Sequence, residues 1–283
     1  MWLYLALASA LLLGLYDIAK KKSAQNNGVL QILLVATALS TLFLSPWLFK
    51  YPMDIHSHLA LLVKAAIVTS SWISGMVALK YLPITTVSTL KATRPFLVVL
   101  FSILLFGERL NLCQWAGVLA AFVALMLLSR SSRMEGVTFK SNKGLLAMAI
   151  SIVTGVISAL YDKHIIAGFE PLSVQSWANF YITILLALCV IVYGRFSGSR
   201  QKFRWDWTLL LIAVLITGAD ALYFFAIKQD GALLSVVSIL RRCSVLVTFA
   251  VGAIFFKEKN MKRKSLNILV LMIGMALLII GSR

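Results

Sequence analysis

Leu15-Tyr16-Asp17 closes the first apolar span of this chain, and Leu160-Tyr161-Asp162 closes the sixth. Further echoes follow in order: Ala78-Leu79-Lys80 with Ala226-Ile227-Lys228, Ser88-x-Leu90-Lys91 with Ser238-x-Leu240-Arg241, and Gly107-Glu108-Arg109 with Lys257-Glu258-Lys259. The offset drifts from 145 through 148 to 150 residues, as small loop insertions would make it do. One unit has been built twice. A unit with an odd number of spans places its second copy upside down in a bilayer, an arrangement used by many solute carriers.

With 60% hydrophobic and only 13% charged residues, the chain reads as a bilayer protein. Apolar runs of crossing length fall at 2–19, 28–49, 59–79, 84–106, 112–129, 144–162, 171–193, 207–227, 232–256 and 265–281. The expected fold is therefore an all-α integral membrane protein, with ten transmembrane helices forming two inverted five-helix repeats around a central cavity. The repeats occupy residues 1–133 and 143–283, joined by a loop at 134–142. The N-terminal run has no basic leader and no small-residue cleavage site, so it is expected to stay as the first helix.

A net charge of +17 would point to nucleic acid in a soluble protein, but the basic residues crowd into short loops. Loops after odd-numbered spans hold 17 Lys and Arg, from Lys20-Lys21-Lys22 to Lys262-Arg263-Lys264. The opposite side holds 6: Lys50, Lys64, Arg109, Lys163, Lys228 and Arg283. The positive-inside bias places both termini outside the cytoplasm, in a multi-pass protein of the cell inner (plasma) membrane. It also removes the reason to expect a nucleic-acid partner. The expected partners are a small-molecule solute and the lipid bilayer; oligomeric state is left open.

Four basic residues fall inside spans: Lys91 and Arg94 on the fourth, Arg241 and Arg242 on the ninth. Each costs roughly 2.5–3.5 kcal/mol near a helix centre unless paired or hydrated. Lys91 and Arg94 share a helix face with Ser88, and Arg241 lies three residues beyond Ser238 on the repeat-related helix. Pro95, read as interior to the fourth helix, would free the Lys91 carbonyl and kink the backbone beside the charge. Ser88, Lys91, Arg94, Arg241 and Arg242 are thus candidates for an anion-binding site, with Trp72 and Tyr223 as aromatic neighbours. The competing reading has these cations snorkelling to the interface.

Asp220 lies mid-span in the eighth helix, where the first repeat carries Trp72. It is either a salt-bridge partner of Arg241 or Arg242 or a proton-coupling group. Asp17 and Asp162 end the first and sixth helices, where they face solvent or form gates. Glu108 and Glu258 read as structural pairs or turn formers. His56, His58 and His164 lack metal spacing, and Cys113, Cys189 and Cys243 are scattered, so neither a metal nor another cofactor is expected.

The doubled unit, the stretch ending in Phe106-Gly107-Glu108-Arg109-Leu110 and the Gln114-x-x-Gly117 start of the fifth helix together resemble the EamA-type branch of the drug/metabolite transporter superfamily. The resemblance implies a basket of helices one to four and six to nine, with helices five and ten peripheral and alternating access by rocking helix pairs. It also implies that phosphate-carrying relatives use basic residues on the fourth and ninth helices, matching Lys91, Arg241 and Arg242. Replacement of the second Gly-Glu by Lys257-Glu258 departs from the family pattern.

The first expectation is accordingly a secondary transporter, an exporter or exchanger, of a small anionic or carboxylate-bearing metabolite. Export of an amino acid or a cationic compound is the alternative within transport. An intramembrane enzyme or a non-transporting sensor would be a different class. The chain has no His-Glu-x-x-His, no Gly-x-Ser-x-Gly and no histidine deep in a span, so no enzymatic role is expected.

Overall fold

In the computed structural model the described residues are 1–24, 26–50, 53–81, 90, 91, 93–131, 142–196, 203–244, 246, 247 and 261–282. Every regular element among them is a helix. In chain order these are α1 (Trp2–Ser23), α2 (Val29–Phe43), α3 (Ser45–Lys50), α4 (Ile55–Tyr81), α5 (Arg94–Phe106), α6 (Leu112–Ser131), α7 (Asn142–Ile166), α8 (Pro171–Phe196), α9 (Trp207–Lys228), α10 (Leu234–Arg242) and α11 (Met261–Gly281). Helices α1, α4, α7, α8 and α9 are long and apolar enough to cross a bilayer, while α2, α5, α6 and α11 contribute shorter apolar stretches. Helix is the form such sequences must take, because lipid offers no partner for an unpaired backbone group.

The predicted second span is broken rather than continuous. It ends as α2 at Phe43, capped by Leu44, and resumes as α3, because Pro46 supplies no N–H to carry the ladder through the junction. Pro95 also differs from expectation: it sits in the first turn of α5, where its missing N–H costs nothing. The chain is helical at Leu90 and Lys91, then tightens as Thr93 N–H donates to the Leu90 carbonyl at 3.1 Å. Cys243, which follows α10, does the same, its N–H donating to the Leu240 carbonyl at 3.0 Å. The helical turn that carries Lys91 and the helix that carries Arg241 and Arg242 are thus both interrupted just beyond those cations, and Arg94 opens α5 on the far side of the first break.

The broadest helix contacts are α1 with α9, α4 with α7 and α6 with α11; α2 packs on α8, and α5 on α10. The buried faces are rich in small residues such as Ala6, Ala65, Ala78, Ala124, Ala213 and Ala226, whereas Leu104, Leu105, Leu112, Ile191 and Ile280 point outward. Lipid is as apolar as leucine, so close backbone approach rather than solvent exclusion holds such helices together. At the α6–α11 crossing a Cβ on Gly117 would stand 2.8 Å from the Gly274 carbonyl oxygen. Asn111 and Gln114 exchange side-chain bonds with each other's backbone N–H at 2.8 and 2.9 Å, a capping box that starts α6. Ser71 and Ser151 hydroxyls donate to each other's carbonyls at 2.8 and 2.7 Å, joining α4 to α7. Ser9 donates to the Ala219 carbonyl at 2.6 Å, joining α1 to α9.

Candidate functional site: a cation cluster between broken helices

Arg241 is in the last turn of α10, where the negative end of the helix dipole favours a cation. Its guanidinium is ion-paired with Asp220 of α9, and its Cζ lies 4.3 Å from the centroid of the Tyr223 ring on the same helix. Asp220 and Tyr223 are three residues apart, so they share a face and hold Arg241 from two directions. Of the two sequence readings of Asp220, the ion pair is formed, and with Arg241 rather than Arg242. The Arg241 Nε remains buried without a hydrogen-bond partner, which leaves it available to an acceptor from outside the protein.

Arg94 begins α5 and reaches across to α7, where its Nη2 donates to the Gly155 carbonyl. Gly155 is needed for space: a Cβ there would lie 2.7 Å from Arg94 Nη1 and 2.8 Å from Nε. Lys91 leans in the same way on α4, its Nζ 3.5 Å from where a Cβ on Gly75 would stand. Lys91 is within electrostatic reach of Lys20, Arg94 and Arg242, while Arg94 is within reach of Arg241, Arg242, Tyr223 and Asp162. Arg242 interacts with Arg241, Asp17 and Tyr223. Lys91 and Arg242 keep accessible surface, and Arg94 and Arg241 are half-buried.

Lys91, Arg94, Arg241, Arg242, Asp220 and Tyr223 therefore come together. Ser88, Lys257 and Glu258 lie outside the described residues. Trp72 packs with Leu33, Ala65, Ile182 and Leu186 between α4, α2 and α8. Asp17 is exposed, with Lys20 and Arg242 nearby, whereas Asp162 is buried and does not face solvent.

Three features escaped sequence reasoning. Lys64, counted among loop cations, lies within α4, 4% exposed, ion-paired with Asp162 and 5.1 Å from the Phe224 ring centroid. The span assignment already enclosed it; only the loop count concealed it. Glu108, expected to form a turn or pair with basic neighbours, instead accepts from Leu234 N–H at 2.6 Å, from Ser235 N–H at 3.1 Å and from the Ser235 hydroxyl. Lys163 donates to the Ala232 carbonyl at 2.6 Å from the last turn of α7. The repeated Glu turn was visible in sequence, but not which helix it would meet.

Cations gathered at interrupted helices of a multi-pass, all-helical membrane protein are an arrangement that recurs in solute carriers. The EamA-like transporter family profile matches residues 1–130 and again 142–280, and the chain belongs to that family. A riboflavin transporter of Rhizobium johnstonii is 27% identical over 178 residues, 62% of this chain and 54% of that protein. The chain thus matches about half the length of this curated relative. A solved crystal structure superposes with a TM-score of 0.77 at 16% identity, covering 99% of this chain and 97% of that one. At that identity the likeness concerns the fold alone.

Proposed function

We propose that the chain is a secondary transporter of a small anionic or carboxylate-bearing metabolite, an exporter or exchanger working by alternating access of two inverted five-helix repeats, residues 1–133 and 143–283. The observation that carries this reading is a surplus of positive charge. Lys20, Lys91, Arg94, Arg241 and Arg242 lie within electrostatic reach of one another, and among the described residues the acids that oppose them are Asp17, Asp220 and Asp162, the last already paired with Lys64. Uncompensated cations within a membrane protein are costly, so a bound anion that neutralises them gains affinity from relieving that cost. Arginine forks match carboxylate and phosphate oxygens, and Arg241 retains an unused buried Nε.

The inverted repeat is supported by the packing pattern. Exchanging the halves turns the α1–α9 pair into the α7–α4 pair and maps α6–α11, α2–α8 and α5–α10 onto themselves. The breaks at Thr93 and Cys243 are 150 residues apart, the same offset as Lys91 and Arg241. Discontinuous helices that meet at a repeat interface are where transporters bind substrate. On this reading Asp220 tunes Arg241 and is the coupling candidate, and Asp17 and Asp162 are the gate candidates.

The riboflavin transporter supplies a second reading, a planar vitamin-like solute. The partly buried Trp177 and Tyr181 rings, stacked 6.0 Å apart, and the edge-on His58 favour it, since aromatic planes receive flat rings. The test is a thermal-shift screen of carboxylates, phosphate esters and riboflavin, followed by flux in proteoliposomes. Arg241→Gln should raise the apparent substrate constant about 10- to 100-fold, as loss of a charge-assisted contact worth about 1.5–3 kcal/mol implies. A cationic preferred solute, or normal transport by Lys91→Gln and Arg242→Gln variants, would overturn the anionic reading.

A further inference from the structure

We propose that Glu108 is the positioning residue of the cation cluster: it clamps the far end of α10, and through that nine-residue helix sets where Arg241 and Arg242 stand. The inference rests on the anion-site reading and extends it to a group that touches no solute. Gly107, at φ 62°, closes α5 in the left-handed conformation that glycine adopts without strain. The chain then turns Glu108 inward, where it is only 8% exposed. Its two carboxylate oxygens take the N–H groups of Leu234 and Ser235 and the Ser235 hydroxyl. Helix α10 has no side-chain cap from its own N-cap residue, Leu233, so this carboxylate from the first half of the chain does that work.

Lys163 completes the clamp from α7 by binding the Ala232 carbonyl, just before α10 begins. One end of α10 is thereby pinned by a carboxylate and an ammonium from two other parts of the fold. The other end presents Arg241 and Arg242, about 13 Å away at 1.5 Å per residue. A rigid rod of two and a half turns transmits a displacement at its base directly to its tip. Because Glu108 directly follows the Gly107 cap of α5, the helix that starts with Arg94, the same contact fixes the two cation-bearing helices relative to each other, and they pack together.

A cysteine placed at Thr93, partly exposed between Lys91 and Arg94, provides a probe that needs no known solute. In the full chain with Cys113→Ser, Cys189→Ala, Cys243→Ala and Thr93→Cys, the labelling rates of the introduced thiol by the anionic reagent methanethiosulfonate ethylsulfonate and its cationic trimethylammonium analogue are compared. A cation cluster favours the anionic reagent, and Glu108→Gln should lower the anion-to-cation rate ratio roughly tenfold. Arg241→Gln should lower it too. A ratio that Arg241→Gln leaves unchanged defeats the anion-site reading itself. A ratio lowered by Arg241→Gln but not by Glu108→Gln defeats the positioning role alone. So does an equal rise in both rates, the result expected if Glu108 merely stabilises the fold. Where Glu108→Gln yields no folded protein, Ser235→Ala removes one of the three contacts and should lower the ratio less; an unchanged ratio there overturns the proposal.

Discussion

Lys64 on α4 and Asp162 on α7 form a buried ion pair, with side chains 5% and 10% exposed, across one of the broadest helix contacts among the described residues. A pair taken out of water is held in place because removing either partner leaves a lone charge behind. Lys64→Met or Asp162→Asn alone should therefore cost about 3–5 kcal/mol, whereas Lys64→Met combined with Asp162→Leu should recover most of that loss. Unfolding of the purified variants in detergent checks it; additive losses in the double variant would show that the pair is not coupled.

Gly155→Ala tests the placement of Arg94. Alanine is the better helix former by about 0.8–1.0 kcal/mol, so on propensity alone the variant should be more stable. Instead the new methyl would meet the Arg94 guanidinium and push it off the Gly155 carbonyl, and loss of a hydrogen bond from a charged group costs about 1.5–3 kcal/mol. The expected outcome is weakened solute binding in Gly155→Ala, with stability restored by adding Arg94→Ala. Unaltered binding and stability in the single variant would refute the contact.

Asp206 caps α9 from outside the membrane span, its carboxylate accepting from the Thr208 hydroxyl at 2.9 Å and from the Thr208 N–H at 3.4 Å. These bonds hold its carboxyl below the usual carboxylate range. A depressed native value contributes stability above the unfolded pKa and loses it as pH falls through the native one. The melting-temperature difference between the parent and Asp206→Ala should accordingly be constant at neutral pH and vanish in acid below the native value. A difference that grows on acidification would contradict the cap.

Topology can be read directly by reporter fusions. Both termini are expected outside the cytoplasm, and moving Lys64 from the loops into α4 sharpens the charge bias behind that expectation. Fusions after Arg283 that are active only in the cytoplasm would reverse the orientation.

Much of the fold was legible because bilayer helices follow from local composition. Long apolar runs with at most one charge gave α1, α4, α7, α8 and α9 near their observed bounds, since a span needs only length and apolarity. The breaks were less legible. Pro46 and Pro95 were visible, but whether a proline kinks a helix or starts one depends on the turn before it, and Pro95 proved to start α5. The cations Lys91, Arg94, Arg241 and Arg242 were legible as a group because charge inside a span is rare and costly. Asp220 was legible as a partner, yet not as the partner of Arg241 in particular.

What the sequence determined by itself was that this chain crosses membranes repeatedly; the doubled unit, with Lys91 and Arg241 at matched positions, is the expectation its spacing raises. These are properties of composition and spacing, which local energetics read without knowing any neighbour. Only the tertiary structure decided that Lys64 pairs with Asp162, that Gly155 makes room for Arg94, that Trp72 packs against α2 and α8 and that Glu108 holds α10. Each of these joins residues more than 60 positions apart or on different helices. Such contacts depend on how helices are rotated against one another, and rotation is set by the packing of small residues that many sequences of similar hydropathy would leave equally apolar.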